Sequence, residues 1–362
     1  MTLPFTELLR PELAEMSPYA PHAGQFRIRL DANEAPAVLS AAARARLAEV
    51  AAETAWERYP DAGAEALRAA IAARCGVSAA EVLVGVGSDE IISLLLTALS
   101  RPRDDNDSPL VLTTTPTFVM YRMSARVRGQ RVLEVPLDDR WDLAPEALKA
   151  ATRLVEPSVI FIASPNNPTG NKMSLERLAT LIESVPRSLV VIDEAYVDYS
   201  DSDQLELYHR YPNVAVLRTL SKIGFAALRV GWLLGRAELI QALDKVRLPY
   251  NLTTLSQRLA TVALTELAAE LTATTRYVIA ERERMTLSLA ALAGVQVTPS
   301  QANFVWVRSE RSAEELFNGL VARGILVRSF HSRGGRLARQ LRVTVGSSAE
   351  NSAFLSAYEA LL

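Results

Sequence analysis

Residues 159–170 read Val-Ile-Phe-Ile-Ala-Ser-Pro-Asn-Asn-Pro-Thr-Gly. The apolar run Val159–Ala163 contains no polar residue and stops at a turn carrying two prolines and a glycine. So short an apolar run, closed by turn formers, predicts a strand buried on both faces. Such a strand needs helices above and below it. Outward in both directions the pattern recurs, in Val82–Val86, Leu110–Thr114, Val132–Val135, Leu189–Ile192, Val214–Leu217 and Val230–Leu234. From about Ala51 to Gly235 these runs alternate with helical patterns, which predicts an α/β large domain around a mostly parallel seven-stranded sheet.

Beyond Ala260 a helical stretch runs to about Leu292. The pattern then changes to strand (Asn303–Val307), helix (Ala313–Arg323), strand (Ile325–Arg328), strand (Leu341–Val345) and a terminal helix. This predicts a smaller α+β domain, whose sheet Phe26–Leu30 is expected to join because that strand has no partner nearby in sequence. The expected division is an arm over 1–25, the small domain over 26–50 and 261–362, and the large domain over 51–260. A length of 362 residues fits two domains at roughly 150 residues each.

A net charge of −2 supplies no basic field for nucleic acid or an anionic membrane. No window approaches the ~18 apolar residues of a membrane helix, and the N-terminus lacks a signal-peptide core. Cys75 is the only cysteine, and His22, His209 and His331 are scattered, so neither a disulfide nor a metal site is expected. These features predict a cytoplasmic enzyme or binding protein that takes small molecules.

In open α/β sheets, ligands bind beyond the carboxyl ends of the strands. After Val82–Val86 come Gly87, Ser88 and Asp89 and then an apolar helix. That turn can present free N–H groups to a phosphate, or Ser88 can simply cap the helix. After Val159–Ala163 the turn itself does not require two adjacent asparagines, so an amide is available to a ligand oxygen. After Leu189–Ile192 come Asp193, Glu194, Ala195 and Tyr196. A carboxylate ending a buried strand can cap a helix, bind a metal or pair with a cationic ring nitrogen. After Val214–Leu217 come Thr219, Leu220, Ser221 and Lys222, then Arg229. Lys222 sits among Leu220, Ile223 and Phe225, and apolar surroundings of that kind favour Schiff-base chemistry.

With Ser164–Gly170, Asp193–Tyr196 and Ser221-Lys222…Arg229 in this order, the sequence resembles the fold-type I pyridoxal-phosphate aminotransferases, and within them the histidinol-phosphate aminotransferase group. The resemblance runs from about Ser17 to Gly346. It implies pyridoxal 5'-phosphate as cofactor, joined to Lys222, which also carries the transferred proton. It implies that Asp193 pairs with the ring nitrogen, that Asn167 and Tyr196 bond the ring's phenolic oxygen, and that Phe118 stacks on its face. Gly87, Ser88, Asp89, Ser221 and Arg229 would hold the phosphate. Tyr59 would reach that phosphate from a neighbouring subunit, which implies a homodimer with shared active sites. On the substrate side the resemblance implies Arg342 for a carboxylate and Arg328 for a substrate phosphate. Tyr19 would cover that phosphate from the arm, and Asn33 and Glu34 would line the site. For Arg333, Arg336 and Arg339 a solvated basic loop is expected.

The implied reaction moves an amino group between L-glutamate and imidazole-acetol phosphate in histidine biosynthesis. Two enzymes of the same fold would keep most of these residues: an aromatic amino-acid aminotransferase and a threonine-phosphate decarboxylase. A non-catalytic effector-binding domain is disfavoured by the intact Lys222, Asp193 and Tyr196 and by the short segment before Phe26.

Overall fold

The computed structural model describes residues 5–18, 22, 24–37, 39–103, 108–154 and 156–362, so Tyr19 lies outside the described residues. The strands are β1 (Ile28–Leu30), β2 (Val82–Val86), β3 (Leu110–Thr115), β4 (Arg131–Pro136), β5 (Val159–Ala163) and β6 (Leu189–Asp193), followed by β7 (Val214–Thr219), β8 (Val230–Leu234), β9 (Val295–Thr298), β10 (Phe304–Ser309), β11 (Ile325–Ser329) and β12 (Gln340–Thr344). They form a seven-stranded sheet of order β2-β8-β7-β6-β5-β3-β4 and a five-stranded sheet of order β1-β11-β12-β10-β9.

In the larger sheet β7, β6, β5, β3 and β4 run parallel, while β8 is antiparallel to both of its neighbours, β7 and β2. The parallel strands β5 and β7 are buried along their whole length, as expected where helices cover both faces. The reversal of β8 has a local consequence. Its first residues lie beside the carboxyl ends of β2 and β7, with Val86 level with Val230 and Thr219 level with Gly231. Gly231 must be glycine here, because a Cβ would come within 2.6 Å of the Gly87 carbonyl carbon and the Ser88 nitrogen.

β1 does join the second sheet, pairing parallel with β11 over Ile28–Leu30. Two details differ from the sequence reading. The stretch from Ala260 to Leu292 is not one helix: Thr254–Thr265 and Ala268–Ala290 are separate, broken at Glu266 and Leu267. β9 was not expected, and it pairs antiparallel with β10 at the sheet edge. Among the described residues no helix is long and apolar enough to cross a membrane.

Candidate active site

The carboxyl ends of β5, β6 and β7 are in register, with Asp193 level with Ala163 on one side and Leu217 on the other. Each chain segment leaving these ends therefore enters the same space, a cavity of about 200 Å³. Lys222, Asp193, Tyr196, Asn167, Ser221, Arg229, Ser88, Asp89, Phe118, Asn33 and Arg342 all line it, although they come from distant parts of the chain.

At one end, helix Gly87–Ala98 begins directly after β2 with Val86 as its N-cap. Ser88 therefore lies inside the first turn and is not the cap, which closes one of its two sequence readings. The first-turn N–H groups have no helical partners and favour an anion. Gly87 has φ +72°, and a Cβ there would sit 2.8 Å from Arg229 Nη2. The missing side chain is what admits the guanidinium. Arg229 is itself left-handed (φ 51°), and its carbonyl accepts from the Gly87 N–H at 2.9 Å. Its Nη1 donates to Ser221 Oγ at 3.4 Å, and its Nη2 lies 3.5 Å from Asp89.

Asp193 occupies the floor, 4% exposed. It accepts from the Tyr121 hydroxyl at 2.6 Å and from the Ala195 N–H at 3.0 Å. Burial pushes its carboxyl up to about 6, against the lowering effect of those two bonds and of Lys222. Among the described residues no cation forms an ion pair with it. A buried carboxylate held by two neutral donors lacks its charge partner, and a cationic ring nitrogen would supply one. Its neighbour Glu194 leaves the cavity altogether and pairs with Arg218 at 2.7 Å.

Asn166 and Asn167 divide their work. Asn166 is fully buried and ties the turn to Pro116, Thr117 and Thr169. Asn167 faces the cavity and accepts from Arg342 Nη1 at 2.6 Å. The Tyr196 hydroxyl accepts from Asn33 Nδ2 at 2.9 Å, and its ring packs edge-on against Phe304. Lys222 is half-buried, with Nζ 6.0 Å from the Tyr196 ring centre, and its carbonyl accepts from the Tyr199 hydroxyl at 2.5 Å.

A second cavity of about 190 Å³ adjoins the first through shared walls at Asp31, Phe118, Asn167 and Arg342. Arg328 lines only this second space, so the two arginines singled out from sequence stand at different depths. Arg333 is exposed, as a solvated loop would have it, yet it too borders the second cavity. Arg336 is exposed as well, but lies 4.0 Å over the Trp141 ring and donates to the carbonyls of Leu137 and Asp138. Tyr59 is 83% exposed and outside both cavities, stacked on Tyr250. Glu34 is exposed and lines neither.

Sequence reasoning missed Tyr121, Arg122 and Glu134. Tyr121 stacks on Phe161 and meets Phe118 edge-on, and its place three residues after Phe118 was the only available signal.

Residues 27–357 match the family described as aminotransferase class I and II. The histidinol-phosphate aminotransferase of Chromobacterium violaceum is 38% identical over 366 residues, covering 99% of each chain. Histidinol-phosphate aminotransferase 2 of Cupriavidus pinatubonensis is 38% identical over 360 residues, covering 98% of this chain and 96% of that one. Among solved structures, the histidinol-phosphate aminotransferase of Sinorhizobium meliloti in complex with pyridoxal-5'-phosphate superposes with a TM-score of 0.85 at 25% identity, covering 97% of this chain and 96% of that one. With the strand-end cavity and these matches together, the chain belongs to the aminotransferase class I and II family.

Proposed function

We propose that this aminotransferase uses pyridoxal 5'-phosphate to move an amino group between L-glutamate and imidazole-acetol phosphate, giving L-histidinol phosphate and 2-oxoglutarate. The observation that carries the reading is one cavity holding a lysine, a buried carboxylate and an anion cradle, sharing a wall with a second cavity that Arg328 lines. The donor set fits the cofactor. Gly87 leaves room for Arg229 beside a helix N-terminus, which suits a phosphate. Among the described residues no cation forms an ion pair with Asp193, which suits a protonated ring nitrogen.

When bound, the cofactor supplies an electron sink for the charge left at the substrate's α-carbon. The remaining work falls to the chain. Lys222 would hold the cofactor covalently and then carry a proton on Nζ. Asp193 would keep the ring nitrogen protonated through its negative charge. Ser88, Ser221, Arg229 and the backbone of Gly87–Asp89 would hold the phosphate. Asn167 Nδ2 and the Tyr196 hydroxyl would bond the phenolic oxygen, and Phe118 would cover one ring face. Arg342 would take a substrate carboxylate, and Arg328 the substrate phosphate.

We further propose a homodimer. Trp56, Tyr59 and Leu248 are each more than 70% exposed, and Tyr250, stacked on Tyr59, is 46% exposed. Large exposed apolar side chains on the two segments that this stack joins support an interface there. The deciding experiment is a panel of amino donors and oxo acids on the cofactor-loaded protein, followed by absorbance, with Lys222→Ala as control. Fast amino transfer from L-histidinol phosphate is expected. Carbon dioxide release from a phosphorylated amino acid in its place would instead indicate a decarboxylase.

A further inference from the structure

The second cavity is lined by Arg328, Arg333 and Arg342, and such a wall is suited to anions. Glu134 does not belong in a purely anion-binding space, because it would repel every phosphate or carboxylate that entered. It stands on β4, the edge strand, level with Thr113 of β3, which lines the same cavity. Arg122, from the helix Met120–Arg126, donates to Glu134 Oε2 at 3.2 Å. Both side chains are about one-third exposed (33% and 32%), and an ion pair that open to solvent contributes little to stability. Among the described residues Glu134 Oε1 accepts no hydrogen bond. Phe118 and Phe330 both line the space, and Phe330 packs edge-on against Trp306.

A space lined by two aromatic rings, with a carboxylate oxygen left over, suits a planar ring bearing an N–H. Imidazole offers that donor and a phenyl ring does not. We propose that Glu134, held in place by Arg122, is a specificity-determining residue that accepts a hydrogen bond from a ring N–H of the substrate. The cavity then reads two features of one molecule: arginines take the phosphate, and Glu134 takes the heteroaromatic ring. Glutamate has no ring to present, so its half-reaction does not use this contact. The inference rests on the proposed function, because it assigns the ring of that substrate.

The test uses the cofactor-loaded enzyme with L-histidinol phosphate, with L-phenylalaninol phosphate as the phenyl analogue, and with L-glutamate. Losing a hydrogen bond to a charged acceptor corresponds to roughly 10- to 100-fold in kcat/KM. Glu134→Ala is expected to lose that factor with histidinol phosphate and less than about threefold with the other two. Glu134→Gln keeps the shape and an acceptor oxygen, so its loss should fall between wild type and Glu134→Ala. Equal losses on all three substrates, or no loss on histidinol phosphate, would overturn the assignment alone. A wild-type enzyme active with glutamate but inert toward histidinol phosphate would overturn the proposed function, and the assignment with it.

Discussion

Arg342 donates from Nη1 to the Asn167 side-chain oxygen at 2.6 Å, joining β12 of the smaller sheet to the turn after β5 of the larger one. The bond also orients the amide: with Oδ1 engaged, Nδ2 is the group left to donate into the cavity. Two residues given separate tasks by the family resemblance, one for the cofactor and one for the substrate, thus hold each other. Contacting residues of this kind couple by about 0.5–3 kcal/mol. Asn167→Ala and Arg342→Ala should each lower kcat/KM for glutamate, and the double variant should lose less than the two combined, by about 1 kcal/mol or more. A four-enzyme cycle measures this, and strict additivity would show that the contact does not position Arg342.

What the sequence made legible follows from local chemistry. Val82–Val86, Val159–Ala163 and Val230–Leu234 are apolar runs with abrupt ends, and the strands take those same bounds. Asp193, Asn167 and Lys222 follow such ends, so their meeting in one cavity could be anticipated from chain order alone. β9 was not legible because Val295–Thr298 alternates Val-Gln-Val-Thr over only four residues at a sheet edge. The break between the two long helices carries neither glycine nor proline, only Glu266 and Leu267. Tyr121 was hidden because its partner Asp193 is far along the chain, and a tyrosine among apolar residues reads as core. Glu134 was hidden because charge on an edge strand ordinarily marks a solvated face.

The burial of Asp193 should be visible in the apoprotein's stability. Its folded-state carboxyl sits at about 6, above the ordinary 3.8. The folded state thus prefers the protonated acid, a preference fully present below pH ~4 and lost as pH rises through about 6. Asp193→Asn removes the buried charge, so the apo variant should be more stable than wild type above pH ~6, by up to about 3 kcal/mol. Below pH ~4 the two should converge. Urea unfolding across pH measures the difference, and an absence of gain at pH 8 would show that the carboxylate is well accommodated without the cofactor. The same variant should be a poor enzyme, since an amide cannot hold the ring nitrogen protonated.

Tyr121 should tune that group. Its hydroxyl bonds the charged form of Asp193 and thereby lowers the carboxyl against the push of burial. Tyr121→Phe keeps the stack on Phe161 and removes only the donor. The Asp193 carboxyl should rise further, moving the acid limb of the kcat/KM profile to higher pH and costing about tenfold near pH 7. A profile unchanged in shape, with only its height lowered, would limit Tyr121 to packing.

Tyr59 should act in a neighbouring subunit's site. Mixed dimers of Tyr59→Phe and Lys222→Ala chains would each contain one site built from an unaltered Lys222 and an unaltered Tyr59. Random mixing makes half the dimers mixed, so activity should recover to about a quarter of wild type. With both parents impaired and mixed dimers confirmed, no recovery would place the action of Tyr59 within its own chain.

Arg328 should separate phosphorylated from unphosphorylated substrates. It lines the second cavity and not the first, whereas Arg342 stands at the wall between the two. A guanidinium meets a dianionic phosphate with paired charge-assisted hydrogen bonds, which a neutral side chain cannot replace. Removing one partner of a desolvated pair costs about 2–5 kcal/mol, or roughly 30- to several-thousand-fold. Arg328 is exposed in this chain, so the lower end of that range is expected. Arg328→Ala should therefore cut kcat/KM for L-histidinol phosphate by at least about 30-fold. Its effect on a phosphate-free aromatic amino acid should be much smaller, because Arg342 remains to hold the α-carboxylate. The quantity to measure is the ratio of the two losses, taken in separate half-reactions by cofactor absorbance. A ratio near one would place Arg328 in general support of the cavity wall, and the phosphate specificity would then have to come from elsewhere in the site.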